Sequence, residues 1–371
     1  MLSPQEDTRR GGRCRRGENT EKVPHPMEEP KGPRLATVLP VYNEEAHIRG
    51  CLESLLHQTV DPSMHMILVL DGGSTDGTLD VVNNVILEHT GKDSPRVDVL
   101  DNPGRTVAHA RNLALTHLPP SVEWLVEMIG HALVDEHHLQ DRLDAWQACT
   151  QEVSGRLAGV GVRVVPVDEP KGMVASWIDG AISSPLGQSG GQFASFSKPS
   201  STNVPAFVMH DRSAVESVEG WDTTFLTSQD SDLSMRLLKA GYTLYRHPKP
   251  CVQMHKRNTL GQWWKMGHRY GFWRTKVLLR HPRRAKWQEF LPLLGLGLTV
   301  GLTSLSHPLW SLPLAAYLGV LAVSGAAQAI KQRRVTSVVG VPVSLVMLHS
   351  SFSIGLLDGL VRKGRFPKDR A

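Results

Sequence analysis

Two stretches decide the fold: ATVLPVYNEE at residues 36–45 and MHMILVLDGGSTDGT at residues 64–78. Each is a short apolar run that ends abruptly in acids, glycines or hydroxyls. Ala36 to Tyr42 predicts a strand, and Glu44 to His57 predicts a helix with Asn43 as its N-cap and two acids in its first turn. Met64 to Leu70 predicts a second, buried strand; Gly72 and Gly73 turn the chain into a helix running from about Asp76 to His89. Further out, Val97 to Leu100 and Trp124 to Met128 are strand candidates, with a helical stretch from Thr106 to Leu118 between them. Strand–helix alternation at this spacing predicts a parallel α/β sheet. Ligands of such sheets bind at the carboxyl ends of the strands.

The rest of the chain is built differently. The 371 residues carry a net charge of +5, too small an excess to imply a nucleic-acid partner. Four cysteines, none in a CxxC pair, exclude a disulfide scaffold and argue against a structural zinc site. Residues 1–34 are rich in Arg, Gly, Pro and Glu and predict a disordered basic tail, including Arg13, Arg15 and Arg16. Residues 290–330 contain no charged side chain. As helix this run measures about 60 Å, roughly twice a bilayer's hydrocarbon core, and Ser306, His307 and Pro308 break it, so two transmembrane helices are expected. A third apolar stretch, Val335 to Val361, holds His349, Asp358, serines and glycines and is expected to be re-entrant or interfacial, with a full span as the alternative. Basic clusters (Arg280, Arg283, Arg284 and Lys286; Lys331, Arg333 and Arg334; Arg362, Lys363, Arg365, Lys368 and Arg370) flank these segments. The positive-inside rule places all three on the cytoplasmic side of a cell membrane. Between the catalytic unit, 35–258, and the first span lies 259–289. There Trp263, Met266, Tyr270, Trp273 and Val277 form one helical stripe flanked by cations, as expected of a helix at a membrane surface.

The two opening motifs place acids and backbone amides at strand ends beside helix N-termini. A carboxylate there can accept a hydrogen bond from a base N–H, and glycines let the backbone approach a ligand. Asp71 is the candidate to read a nucleobase; helix capping is the alternative for any one such acid and the better account of Asp76. LPVYNEE, LDGGSTDGT and the downstream SQDSDLSMRLLKAGY together resemble the family 2 glycosyltransferases of the GT-A fold, over about residues 35–280. Within that family the chain is most similar to the membrane-anchored, succinoglycan-type exopolysaccharide branch.

The resemblance implies a nucleotide-diphosphate sugar donor, a lipid-linked or polysaccharide acceptor, and inversion at the sugar carbon. Pro40, Tyr42, Glu44, Asp71 and Gly72 match the nucleotide-binding segments, and Arg111 matches an arginine that reaches the nucleotide, against the alternative of a surface helix arginine. Gln229, Asp230, Asp232 and Arg236 match the acidic motif before a helix, with Asp230 as general base and Asp232 as a positioning or capping group. Arg257, after His255 and Lys256, is a candidate for gripping phosphate. The family's metal-binding acid falls in V-E-M-I-G-H-A at residues 126–132, where Ile129 stands in its place. His131, Glu127 or His255 would then have to serve a divalent cation, Mn²⁺ or Mg²⁺. Ile129 also motivates a non-catalytic membrane scaffold as an alternative. A polyprenyl-phosphate sugar synthase is the alternative within the class.

Overall fold

A computed structural model of the chain describes residues 32–167, 172–187, 196–255 and 257–364. The basic tail with Arg13, Arg15 and Arg16 lies outside the described residues, as do Lys256, Arg365, Lys368 and Arg370. The first half is β1 (Leu35–Val41), α1 (Ile48–Leu56), β2 (His65–Asp71), α2 (Thr78–His89), β3 (Arg96–Asp101), α3 (Val107–His117) and β4 (Trp124–Glu127). These four strands run parallel in the order β3-β2-β1-β4. Next come β5 (Ala132–Leu133), α4 (His138–Glu152), β6 (Arg156–Pro166), α5 (Met173–Ser183), β7 (Ser200–Ser201), β8 (Met209–Asp211), α6 (Arg212–Ser217), α7 (Gln229–Lys239) and β9 (Tyr242–Met254). The sheet continues β4-β8-β6-β9-β5, with β7 on β9, and turns mixed because β8 is antiparallel to both β4 and β6.

Both faces of the sheet are covered, which explains the unbroken apolar runs of β1 and β2. On one face Leu39, Val41, Ile67 and Val69 meet Ile48 and Leu52 of α1 and Val82 and Val85 of α2. On the other, Ala36, Val38, Met66 and Leu68 meet Ala108 and Ala114 of α3 and Leu233 and Leu237 of α7. Side chains alternate between the faces, so each strand feeds both cores. α1 begins at Ile48 rather than Glu44, because Asn43 adopts φ 53° and residues 43–45 bond to the neighbouring loop instead of starting a helix.

The C-terminal part departs more from expectation. α8 (Leu260–Arg280) does form, but Trp263, Met266, Trp273 and Val277 are buried within the protein. Only Tyr270 of the expected stripe is exposed. The stripe therefore packs within the protein. After two 3-10 turns, Pro282–Arg284 and Trp287–Phe290, come α9 (Leu291–Ser304), α10 (Leu312–Gln332) and α11 (Ser337–Val361). α10 and α11 are long and apolar enough to cross a membrane. α9, with 14 residues, reaches only about 21 Å, short of the span expected there.

α11 is one continuous helix because its polar and small residues face protein. Ser337, Gly340, Ser344, Ser351, Gly355 and Gly359 are buried, while Val339, Val343, Ile354, Leu357 and Leu360 are exposed. Trp177 of α5 lies against Gly340. His349 shares a 2.8 Å hydrogen bond with Tyr317 of α10 and lies 3.1 Å from the Leu186 carbonyl oxygen. Gly267 and Gly271 on α8 face Ser351 and Phe352 on α11, and Gly355 and Gly359 face back onto α8, so the two backbones touch at four residues without Cβ atoms in the way. A Cβ at Gly355 would fall on the His268 carbonyl oxygen. Gly355→Ala is therefore expected to cost about 1–3 kcal/mol by overpacking, read as a lowered thermal midpoint in tryptophan fluorescence; an unchanged midpoint would refute the close crossing.

Candidate active site

The loops after β1 and β2 are zipped together by their own side chains. The backbone N–H of Asn43 donates to Ser74 Oγ (3.0 Å) and that of Thr75 to Asn43 Oδ1 (2.8 Å). Glu44 N–H donates to Thr78 Oγ1 (2.8 Å), and Gly77 N–H to Glu45 Oε2 (3.0 Å). This reciprocity explains the concentration of Asn, Ser, Thr, Asp and Glu at both strand ends: short polar side chains satisfy loop amides that no strand partner reaches. Asp71, at the end of β2, is buried and accepts from the N–H groups of Gly73 and Ser74 (both 3.0 Å) and from Ser74 Oγ (2.5 Å). Its carboxylate shapes the glycine turn, so the structure engages the expected base-reading acid as an organiser of the loop. Gly72 N–H ties that turn to the Val41 carbonyl (2.9 Å), Pro40 sits within β1, and the Tyr42 ring is exposed beside them. Gly73, at φ 82°, lies under the Arg105 guanidinium, a cation at the glycine turn that carried no assigned role in the sequence.

At the end of β4 the geometry is organised around Glu127. It is 5% exposed, and Arg111 Nη1 of α3 lies 2.9 Å from its Oε1. His210 Nε2 of β8 lies 3.3 Å from the same oxygen. Burial alone would raise the Glu127 carboxyl, but Arg111 and His210 outweigh it and hold the group down at about 2. Arg111 is thus not a surface residue: its guanidinium pairs with a buried carboxylate and faces the Trp221 ring, 5.5 Å from its centroid. His210 was not singled out in the sequence, because an isolated histidine in a three-residue strand carries no motif.

The four polar residues of the QDSDLSMR segment separate into two groups. Asp232 is fully buried: it accepts from Arg236 Nε (2.8 Å), and His281 Nε2 lies 2.8 Å from its other oxygen, with Arg280 at 3.5 Å. Arg236 also donates to the carbonyls of Val218 and Gly220, the latter at 2.6 Å. Asp232 and Arg236 therefore fasten α7 to the 218–220 loop and to the end of α8. Asp230 is only partly buried, and it accepts from the neighbouring Ser231 N–H, 2.9 Å. Burial and the charge of Glu127 push its carboxyl above the ordinary aspartate range, against the pull of Arg111. It is the carboxylate of this segment that remains available for chemistry. Gln229, beside it, has a buried amide oxygen with no hydrogen-bond partner among the described residues.

His131 and Glu44 come together, Nδ1 to Oε1 at 2.7 Å, across the loops after β4 and β1. Gly130 permits this, since a Cβ there would meet the Glu44 side chain at 2.8 Å. Ile129 packs against the core. His255 is exposed and stacks on His47, ring centroids 4.7 Å apart. Among the described residues no three His, Cys, Asp or Glu side chains converge on one point. The donor set thus fits a cation held by one imidazole and one carboxylate, with the remaining positions filled by a ligand, and no cage made by protein alone. Arg257 is half-buried near Arg269 and Tyr270 of α8, where burial and Arg269 lower its proton affinity.

A parallel half-sheet carrying polar loops at its carboxyl ends, completed by a mixed half with a carboxylate at the start of a helix, is an α/β architecture that binds ligands at those strand ends. The family model described as Glycosyl transferase family 2 matches residues 37–209, and that described as Glycosyl transferase family group 2 matches residues 132–356. The chain belongs to the family 2 glycosyltransferases. It is 24% identical, over 88% of its length and 97% of the relative's, to the dolichyl N-acetyl-alpha-D-glucosaminyl phosphate 3-beta-D-2,3-diacetamido-2,3-dideoxy-beta-D-glucuronosyltransferase of Methanococcus voltae. It is 28% identical, over 69% of its length and 73% of the relative's, to the succinoglycan biosynthesis protein ExoA of Rhizobium meliloti. Its fold is that of the mannosyltransferase PcManGT from Pyrobaculum calidifontis, solved with GDP-Man and Mn²⁺: TM-score 0.55, 19% identity, 89% of this chain and 88% of that one.

Proposed function

We propose that the protein transfers a sugar from a nucleotide-diphosphate donor to a saccharide carried on a lipid phosphate, with inversion, at the cytoplasmic face of a cell membrane. The observation that carries this reading is Asp230: a partly exposed carboxylate of raised proton affinity at the start of α7, close to the Arg111–Glu127 pair at the end of β4. A base so placed can take the proton of an attacking hydroxyl. The loops after β1 and β2 hold the nucleotide, with Arg105, beside the glycine turn, facing its phosphates. His131 and Glu44 would hold a divalent cation, Mn²⁺ or Mg²⁺, which when bound neutralises charge on the departing diphosphate.

The acceptor class is supported by the Methanococcus relative, whose name describes a dolichyl-phosphate-linked sugar and which matches along nearly its whole length. The exposed apolar surfaces of α9, α10 and the outer face of α11 lie in lipid, with Arg333 and Arg334, between α10 and α11, toward the cytoplasm. A polysaccharide end is the other acceptor of this chemistry and is supported by the succinoglycan relative. The test is transfer from a panel of nucleotide sugars to a polyprenyl-diphosphate-linked monosaccharide, compared with bare polyprenyl phosphate. Product is expected on the saccharide. Product on the bare phosphate alone would overturn this acceptor in favour of a polyprenyl-phosphate sugar synthase, in which Asp230 need not act as a base.

A further inference from the structure

α11 has the length and composition of a membrane span, but it is bound along its length to a helix that cannot leave the sheet-bearing domain. α8 begins six residues after β9 ends. At its other end His281 Nε2 lies 2.8 Å from Asp232, Arg280 pairs with Asp222, and Trp273 and Val277 pack against Phe225. With both ends held there, α8 runs along the domain. Lys265, Arg269, Arg274 and Lys276 recur along it, and Lys265, Trp264 and Tyr270 are exposed. Cations at this density are costly in hydrocarbon, whereas headgroups accept both cations and amphipathic rings.

α11 lies beside α8 and points the same way. Trp263 Nε1 donates to the Ser344 carbonyl (2.8 Å), Gly267 faces Ser351, Thr275 Oγ1 donates to the Leu356 carbonyl (2.8 Å), and Lys276 Nζ donates to that of Gly359 (2.7 Å). The pairs advance together, so α11 shares the depth and tilt of α8. Its midpoint, near His349, would be at the bilayer centre in a crossing helix; here it is level with Lys265 and Arg269. Both ends are also tied back. Before α11, Arg334 Nη1 donates to Ser176 Oγ of α5 (2.6 Å). In its last turn Asp358 lies 3.2 Å from His268 Nε2 and pairs with Arg362. A crossing would put Arg333 and Arg334 on one side of the membrane and Arg362 and Lys363 on the other, against the positive-inside rule. A helix unbroken over 25 residues cannot turn back as a re-entrant segment either. Its outward residues Val339, Val343, Val346, Ile354, Leu357 and Leu360 form one exposed apolar face.

We propose that α11 does not cross the membrane but lies in the plane of the cytoplasmic leaflet beside α8, its outer face among the acyl chains and Trp264, Lys265 and Tyr270 of α8 at the headgroups of anionic lipid. This rests on the membrane placement in the function proposed above and deepens it, leaving only residues 290–330 to cross. The two-helix platform ends at Asp232, two residues from Asp230, so a lipid-borne acceptor reaches the base from the level of the leaflet.

The test reads depth and sidedness without turnover, so its outcome is independent of whether Asp230 proves to be the base. Val339→Cys, Val343→Cys, Val346→Cys, Ile354→Cys, Leu357→Cys and Leu360→Cys are made one at a time in a full-length Cys14→Ser, Cys251→Ser background. Each is spin-labelled in vesicles of phosphatidylcholine and phosphatidylglycerol, and depth is taken from collision with oxygen against a water-soluble nickel complex. All six labels are expected at one shallow depth, about 5–10 Å below the phosphates. Val335→Cys and Lys363→Cys are expected to react with a membrane-impermeant maleimide from the same side. A depth that rises to about 15 Å at Val346 and Ile354 and falls again toward both ends, with Val335→Cys and Lys363→Cys labelled from opposite sides, would overturn the proposal in favour of a span. Labels in water along the whole helix would overturn it too, as would spin–spin broadening by a second copy of the chain.

Discussion

Asp230→Asn is expected to lower transfer to a hydroxyl acceptor by about 10²–10⁴-fold, the range general-base catalysis contributes, with donor binding close to wild type. The substitution keeps the size and the hydrogen bond from Ser231 N–H and removes only the capacity to accept a proton. The pH dependence follows from the same surroundings. Burial and the Glu127 charge raise the Asp230 carboxyl, so the base is lost to protonation at a higher pH than an ordinary aspartate with its value of about 3.9. Transfer should fall on the acid side with a midpoint above that value, and the limb should vanish in Asp230→Asn. Rate measurements across pH at saturating donor check this; an asparagine variant that keeps full transfer would remove Asp230 from the chemistry.

Glu127→Gln is expected to do the greatest damage to stability of any single change in the site. Removing this charge leaves the Arg111 guanidinium buried without its counter-ion, and breaking one side of a buried pair costs about 3–5 kcal/mol. The thermal midpoint should fall by roughly 5–10 °C. The sign of the pH effect is fixed as well. The folded carboxyl lies at about 2, below its ordinary 4.5, so its contribution is complete above about 4.5 and is lost as the pH falls toward 2. Where the variant still folds, losing the Glu127 charge should also move the acid limb of transfer to lower pH, because that charge raises Asp230. Differential scanning calorimetry from pH 3 to 7 checks the first effect and the pH–rate profile the second. A Glu127→Gln protein as stable as wild type at pH 7 would contradict the Arg111 pairing.

The α/β half was legible because its signals are local. β1, β2, β3, α2, α3 and β4 arise from short apolar runs punctuated by glycine, Asn and Asp, and each lies within two residues of its expected place. The exception, the late start of α1, comes from bonds between loops 31 to 34 residues apart in sequence. The C-terminus depends on distant contacts as well. Serines, glycines and His349 interrupt the apolar run of α11 and face α8, α5 and α10, so the apolar residues are left to the outside. The tryptophan stripe of α8 was visible as a helix face, yet its partner, α11, lies some 80 residues further along the chain.

In the site, motif positions were readable, and the partners that hold each group were not. Asp230 and Asp232 lie two residues apart in one motif, and the fold shows Asp232 held by Arg236 and His281, the latter 49 residues further along the chain. Likewise Arg280 and Arg284 appeared as a basic flank, but Arg280 pairs with Asp222 and Arg284 is buried near Glu289.

The most direct test of a working family 2 transferase lacking the usual metal-binding acid at Ile129 is acceptor-dependent nucleoside diphosphate release. It is measured on the wild-type protein in lipid, with Mn²⁺, over a panel of nucleotide sugars and lipid-linked saccharides. Release with at least one donor, dependent on acceptor and lost in Asp230→Asn, is the predicted result. A wild-type protein inert across the panel, with activity appearing only in Ile129→Asp, would contradict it.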